Sequence, residues 1–131
     1  MPEPVSTFAF DYVQEILWIG SRYGRVLALY GPELQRYISY VGHRGEAVKQ
    51  ILFHEKGVIS LSRRHLHMAQ RTGMAIWHLN DPKFHDLQCM TFTKGTNEVV
   101  LAGVQDQMFK VDLDKGQVTE YVRRWRMCGH C

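Results

Sequence analysis

The last four residues of the sequence, Cys128-Gly129-His130-Cys131, have the spacing of a dithiol active site. That chemistry needs the first cysteine at a helix N-terminus, where the dipole lowers its pKa, and the sequence gives no residues after Cys131 from which to build such a helix. A thiol oxidoreductase working through Cys128 and Cys131 therefore stands as an alternative reading. With His130 the same run offers part of a structural zinc site, which closes with four ligands, and Cys89 could complete it only if the fold brought it there. Just upstream, Arg123-Arg124-Trp125-Arg126 interleaves guanidinium groups with an indole, a combination suited to base stacking and phosphate contact. These four residues are the candidate site for weak RNA contact.

Other chemistry-bearing residues have plainer readings. His65 and His67 share a strand face at a spacing that metal sites use, beside Arg63 and Arg64. With no carboxylate or third ligand nearby in sequence, the expectation is a solvated basic strand end. Asp11, Asp86, Asp106 and Asp112 each fall beside a turn or a strand end, where turn chemistry accounts for them without a metal. Gly42-His43 with Trp77-His78, 34 residues on, echoes the Gly-His and Trp-Asp pairs of WD repeats. His78 stands where the acceptor aspartate belongs, so only half of that pattern is present, and Trp77 reads as a core residue of an outer strand. No catalytic, cofactor-binding or metal-binding residues are assigned.

The elements that position these residues show a repeat. Each of three segments has a strand-like run ending in Phe: Phe8-Ala9-Phe10, Ile51-Leu52-Phe53 and Met90-Thr91-Phe92. Each then has a nearly apolar run closing in a small residue: Ile16-Leu17-Trp18-Ile19-Gly20, Val58-Ile59-Ser60-Leu61-Ser62 and Val99-Val100-Leu101-Ala102-Gly103. Gly20, Ser62 and Gly103 lie 42 and 41 residues apart, close to the period of about 40–45 residues of four-stranded propeller blades. An uninterrupted apolar run suits a strand covered on both faces, while Phe109, Val111 and Leu113 alternate with Lys110 and Asp112 as in a half-covered strand. Gly24 and Gly116 supply hairpin turns, and Gly31-Pro32 and Asp81-Pro82 mark the other junctions.

The fold class predicted is all-β: about three four-stranded blades of an incomplete WD-repeat β-propeller, over 5–41, 47–79 and 86–122. A tail over 123–131 is not expected to be ordered. Two segments also fit amphipathic helices, Leu34, Tyr37, Ile38 and Val41 in one and Ala47, Val48, Ile51 and Leu52 in the other. The blade alignment assigns strands to both.

Bulk properties exclude little. At 45% hydrophobic and 22% charged, the composition is that of an ordinary globular domain. No run approaches the roughly 18 apolar residues of a membrane span, and the first residues lack the features of a secretory signal. Reduced cysteines in cytosol or nucleus are the expectation. The net charge of +3 comes from Arg123, Arg124 and Arg126, because residues 1–122 hold 13 basic and 13 acidic side chains. The body thus shows no basic excess of the kind that phosphate binding rewards, and any basic groove in it would centre on Arg63, Arg64 and Arg71.

Three longer stretches carry a more specific likeness. They are Ile16–Ser21 running into Tyr30-Gly31-Pro32-Glu33-Leu34-Gln35-Arg36-Tyr37, Gly57–Leu61 running into Leu66–Gly73, and Val100–Gln105 running into Val111-Asp112-Leu113. Together, over about residues 5–122, they resemble the N-terminal WD-repeat propeller of the catalytic subunit of the poly(A)-nuclease deadenylation complex, which shortens mRNA tails. The resemblance implies a seven-bladed propeller acting as a scaffold, supporting engagement of a regulatory pseudokinase-like partner subunit and of poly(A)-binding protein on mRNA. It implies no membrane partner and no small-molecule substrate. In that family the divalent metal, Mg²⁺ by expectation, serves an exonuclease domain that this sequence does not reach, so the chain is expected to be non-catalytic and free of cofactor. Cytoplasm, including processing bodies, and the nucleus are the implied locations. The likeness fades at Arg123, which raises the expectation of a truncated reading frame. Three blades would leave an open arc whose end faces expose apolar residues from runs such as Ile16–Ile19 and Val99–Ala102.

Overall fold

Short turns join almost every pair of consecutive strands in this chain, and that connectivity folds it into up-and-down sheets. The computed structural model describes residues 3–93, 95 and 97–123. The first sheet comprises β1 (Val5–Asp11), β2 (Ile16–Ser21), β3 (Arg25–Tyr30) and β4 (Gln35–Val41). The second comprises β5 (Gln50–His54), β6 (Gly57–Leu61), β7 (His65–Ala69) and β8 (Ala75–Asn80), and the third β9 (Leu87–Phe92), β10 (Glu98–Gly103), β11 (Gln107–Asp112) and β12 (Gln117–Arg123). Each is an antiparallel four-stranded sheet in chain order, so the all-β, three-blade expectation holds. Arg124, Trp125, Arg126, Cys128, His130 and Cys131 lie outside the described residues. Among the described residues no helix is long and apolar enough to cross a membrane.

Both helix-like segments are extended where the blades need strands. Leu34 takes a positive φ of 53° in the β3–β4 turn. From there Ile38 and Tyr40 point inward while Tyr37 and Val41 are about half exposed. Period two wins because β4 completes the hydrogen-bond ladder of β3. The other segment divides, Ala47–Lys49 preceding β5 and Ile51 and Leu52 lying within it.

Strand pairing gives the blades a common register. Phe10 faces Leu17, Phe53 faces Val58, and Phe92 faces Val99; one step along, Phe8 faces Ile19, Ile51 faces Ser60, and Met90 faces Leu101. The third strands continue these rows with Leu27, His67 and Phe109. Leu17 rather than Ile16 is therefore the counterpart of Val58, and Ser21 rather than Gly20 the counterpart of Ser62. The apolar run of the first blade begins at Ile16, one residue ahead of the Leu17 that pairs with Phe10, whereas in the second and third blades the run begins at the paired residues Val58 and Val99 themselves. The corrected spacing of Ser21, Ser62 and Gly103 is 41 residues at both steps.

Packing between blades makes the core. One cluster, with Ile16, Trp18, Val26, Ala28, Val48, Ile51 and Val58, lies between the first and second sheets. A larger one, from Ile59, Leu61, Leu66 and Met68 to Leu87, Val99, Leu101, Phe109 and Val111, lies between the second and third. Two glycines permit these approaches. A Cβ on Gly24, whose φ is +95°, would lie 1.4 Å from the His43 carbonyl oxygen, and one on Gly116 would lie 2.6 Å from the Trp77 ring.

Candidate interaction surfaces

Between the first two blades the packing is polar as well as apolar. Asp11 ends β1 and is 2% exposed. One of its oxygens accepts the Val13 N–H at 3.1 Å, and the other meets Arg71 Nε of the second blade at 2.7 Å. Arg71 Nη1 also donates to the His54 carbonyl at 2.7 Å, and its guanidinium lies 5.9 Å from the Phe53 ring centre. The turn role of Asp11 is as expected, but its ion pair across the blades was not legible, because 60 residues separate the partners. Asp112 accepts the Lys115 N–H, Asp106 pairs with Arg123 at 3.8 Å, and Asp86 sits at a positive φ of 48° before β9.

Along the same boundary imidazoles gather. His43 is 1% exposed in the β4–β5 connection, and its Nε2 lies 2.8 Å from the Ser60 hydroxyl. His67 is 6% exposed, 5.9 Å centre to centre from His43 and 5.7 Å from Tyr40 of the first blade. His78 adjoins both His67 and His65. Burial, followed by the neighbouring imidazoles, pushes His43 down to about 3, and burial and His78 push His67 down to about 4. Burial raises the Tyr40 phenol above its ordinary value. A solvated strand end is thus wrong for His67: β7 is an inner strand of the blade, and this residue stands in its inward row. Nor is His78 the partner that His43 lacks. Ser60 takes that place, whereas Trp77 lies on outer strand β8, packs against the core and donates its Nε1 proton to the Leu113 carbonyl at 2.9 Å. Among the described residues no group of three or more His, Cys, Asp or Glu side chains could hold a metal ion.

The second and third blades join more simply. The Gln50 side chain exchanges two hydrogen bonds with the Met90 main chain at 3.0 and 2.7 Å, beside the apolar cluster. Outward from the first blade, Phe8 is 71% exposed and Phe10 40%. Ile19, Leu27, Leu29 and Leu34 line a hollow on that side. On the far face of the third blade Thr91, Val100, Met108 and Val122 surround Lys110, which pairs with Glu120 at 3.3 Å. Both end faces of the arc therefore carry open apolar surface. Of the candidate RNA-contact residues only Arg123 is described, at the end of β12; its side chain is 64% exposed. Cys89 is a free, exposed thiol.

Comparison with known proteins gives this arrangement relatives. Residues 1–124 match the family described as PAN2 N-terminal. The chain is 56% identical over 120 residues to the PAN2-PAN3 deadenylation complex catalytic subunit PAN2 of Phaeosphaeria nodorum and 48% identical over 125 residues to that of Emericella nidulans. Those matches take in 89% and 94% of this chain but 11% of each relative. Among solved structures, the Neurospora crassa Pan2 WD40 domain superposes with a TM-score of 0.88 at 40% identity, covering 92% of this chain and 38% of that one. The matched part is the N-terminal WD-repeat region, distinct from a nuclease domain.

Proposed function

Because the chain belongs to the PAN2 N-terminal family of WD-repeat domains, we propose that it is an interaction module of an mRNA poly(A)-shortening complex, helping that complex engage its pseudokinase-like partner subunit and poly(A)-bound protein. The observation that carries this reading is the family match over residues 1–124, on a fold of three packed blades. The chain spans about a tenth of the length of the curated relatives it matches, so the activity, substrates and partners of a whole deadenylase subunit enter only through the proposal. Blades are rigid sheets that present loops at both ends, which suits them to holding partners. The module itself contributes no catalytic group and binds no cofactor; divalent-metal chemistry belongs to the nuclease region of longer relatives. Its proposed place is the cytoplasm, with processing bodies, and the nucleus.

Two measurements test the reading together. Immobilised chain should retain purified partner subunit loaded on poly(A)-bound binding protein. Free chain with Mg²⁺ should leave a labelled oligo(A) unshortened. Failure to retain either protein, or metal-dependent shortening of the oligonucleotide, would overturn it.

A further inference from the structure

A net-neutral body conceals a polarity that only the fold displays. In each up-and-down sheet the β2–β3, β6–β7 and β10–β11 turns lie at one end, with the β4–β5 and β8–β9 connections. Within those segments, or at the strand ends beside them, stand Arg22, Arg25, Arg44, Lys49, Arg63, Arg64, Lys83 and Arg123, against Glu3, Glu46, Asp81, Asp86 and Asp106. At the opposite end the described residues offer Arg36, Lys56, Arg71 and Lys115 against seven carboxylates, those of Asp11, Glu15, Glu33, Glu55, Glu98, Asp112 and Asp114. The body thus has a basic end and an acidic end. Arg71 belongs to the acidic end, held by Asp11, so the groove expected around Arg63, Arg64 and Arg71 does not form.

The basic end is also more basic outwardly than its composition. Glu46 serves Arg63, Arg64 and His65 at 3.8, 3.0 and 3.3 Å, and its side chain is 9% exposed while those of the two arginines are 54% and 53% exposed. Burial works against the Glu46 charge, but hydrogen bonds from Arg64 and Ser62 outweigh it and keep its pKa below the ordinary value. Glu3 is likewise engaged, by the Ser21 hydroxyl and by Arg25 at 3.2 Å. Both carboxylates are taken up by the serines that cap the β2–β3 and β6–β7 turns, Ser21 and Ser62, and by flanking arginines.

Main-chain hydrogen bonds stitch the loops into one rim. Gly45 N donates to Tyr23 O at 3.1 Å, Val48 N to Ser21 O at 3.0 Å, Leu87 N to Arg63 O at 2.9 Å, and Val104 N to Asp86 O at 3.4 Å. Along that rim the exposed Arg22 and Tyr23, Arg44, Lys49, Arg63 and Arg64, then Lys83 and His85 follow in chain order. We propose that this rim is a track for single-stranded RNA, its cations meeting successive phosphates and Tyr23 and His85 offering ring faces to bases. Cations spaced along a rigid path with interleaved aromatic rings suit a flexible polyanion bearing stackable groups. They suit an acidic peptide less, since its charges carry no such rings. The proposal rests on the placement of charge and not on the scaffold reading, and RNA titration is separable from partner retention.

The test uses the whole chain and fluorescein-labelled oligo(A), followed by fluorescence anisotropy across a salt series. Arg22, Arg44 and Lys49 are all exposed and make no ion pair among the described residues, so reversing them together (Arg22→Glu, Arg44→Glu, Lys49→Glu) spares the fold, with an unchanged urea melt as the control. The expected result is affinity weakened about tenfold or more, and a salt slope reduced by about three, one for each phosphate contact removed. The paired reversal Arg36→Glu and Lys115→Glu at the acidic end should change affinity less than about twofold, as those positions lie off the track. Unchanged binding by the rim triple variant would overturn the proposal, as would loss of binding on Arg124→Ala and Arg126→Ala alone. Equal affinity for a poly-glutamate peptide of matched length would overturn the assignment to RNA.

Discussion

Arg71→Ala should be among the most damaging single substitutions in this chain. Among the described residues the arginine is the only cation paired with Asp11, a carboxylate 2% exposed at the junction of the first two blades. Truncation strands that charge, still hydrogen-bonded to the Val13 N–H, and removes the donor to the His54 carbonyl at 2.7 Å. Breaking one partner out of a buried pair costs about 3–5 kcal/mol, a large share of the roughly 5–15 kcal/mol that holds an ordinary domain together. Arg71→Lys keeps the charge, but an ammonium cannot reproduce the fork that serves Asp11 and His54 together, so an intermediate loss of about 1–2 kcal/mol is expected. Urea unfolding of the wild type, Arg71→Ala, Asp11→Ala and the double variant forms a cycle in which the two losses should be far from additive. Because this pair joins β1 to the second blade, hydrogen exchange should quicken first in β1 and β2. A loss below about 1 kcal/mol in Arg71→Ala, or simple additivity, would refute the reasoning.

Acid should loosen the same boundary through the histidines. In the folded chain His67 and His43 are held down to about 4 and about 3, whereas in the unfolded chain an imidazole takes its proton near pH 6.5. Stability is therefore fully present above about pH 6.5 and is lost as pH falls from there toward 4, by up to about 1.4 kcal/mol per pH unit for each histidine. Replacing His67 with Phe should flatten urea midpoints measured between pH 7 and 4.5; an unchanged slope would clear His67 of the effect. Exposed end faces should make the isolated chain associate, since contiguous apolar patches beyond several hundred Å² rarely stay bare. Phe8→Asp with Leu27→Asp should shift its sedimentation toward monomer, and a monodisperse wild-type monomer with a sharp melt would count against the open arc.

Fold class was legible because strand period, turn residues and a repeat near 41 residues all pointed the same way. The Phe10, Phe53 and Phe92 alignment matches the observed pairing, since each Phe stands at the same place before its hairpin. What sequence could not show were quantities set by three-dimensional packing. The one-residue slip at Ser21 arises because Ile16 extends the apolar run one residue ahead of the position that pairs with Phe10, and strand pairing, not the edge of an apolar run, sets the register. Arg63 and Arg64 suggest a solvated strand end, yet His67 lies deeper along inner strand β7, where Tyr40 of the first blade covers it. The motif-like spacing points from Gly42-His43 to Trp77-His78, whereas the hydroxyl that meets His43 comes from Ser60, within an apolar run. Net charge failed for the same reason, because summing residues along a chain discards which end of a blade each occupies.

The central claim, a WD-repeat interaction module of a deadenylase, is met most directly by one titration. Purified chain would be added to a reconstituted particle of poly(A), its binding protein and the partner subunit, with binding followed by calorimetry. Saturable binding in fixed stoichiometry, with the poly(A) length unchanged throughout, is the predicted result. No heat of binding to any component of that particle, or a poly(A) tail that shortens as the chain is added, would contradict it.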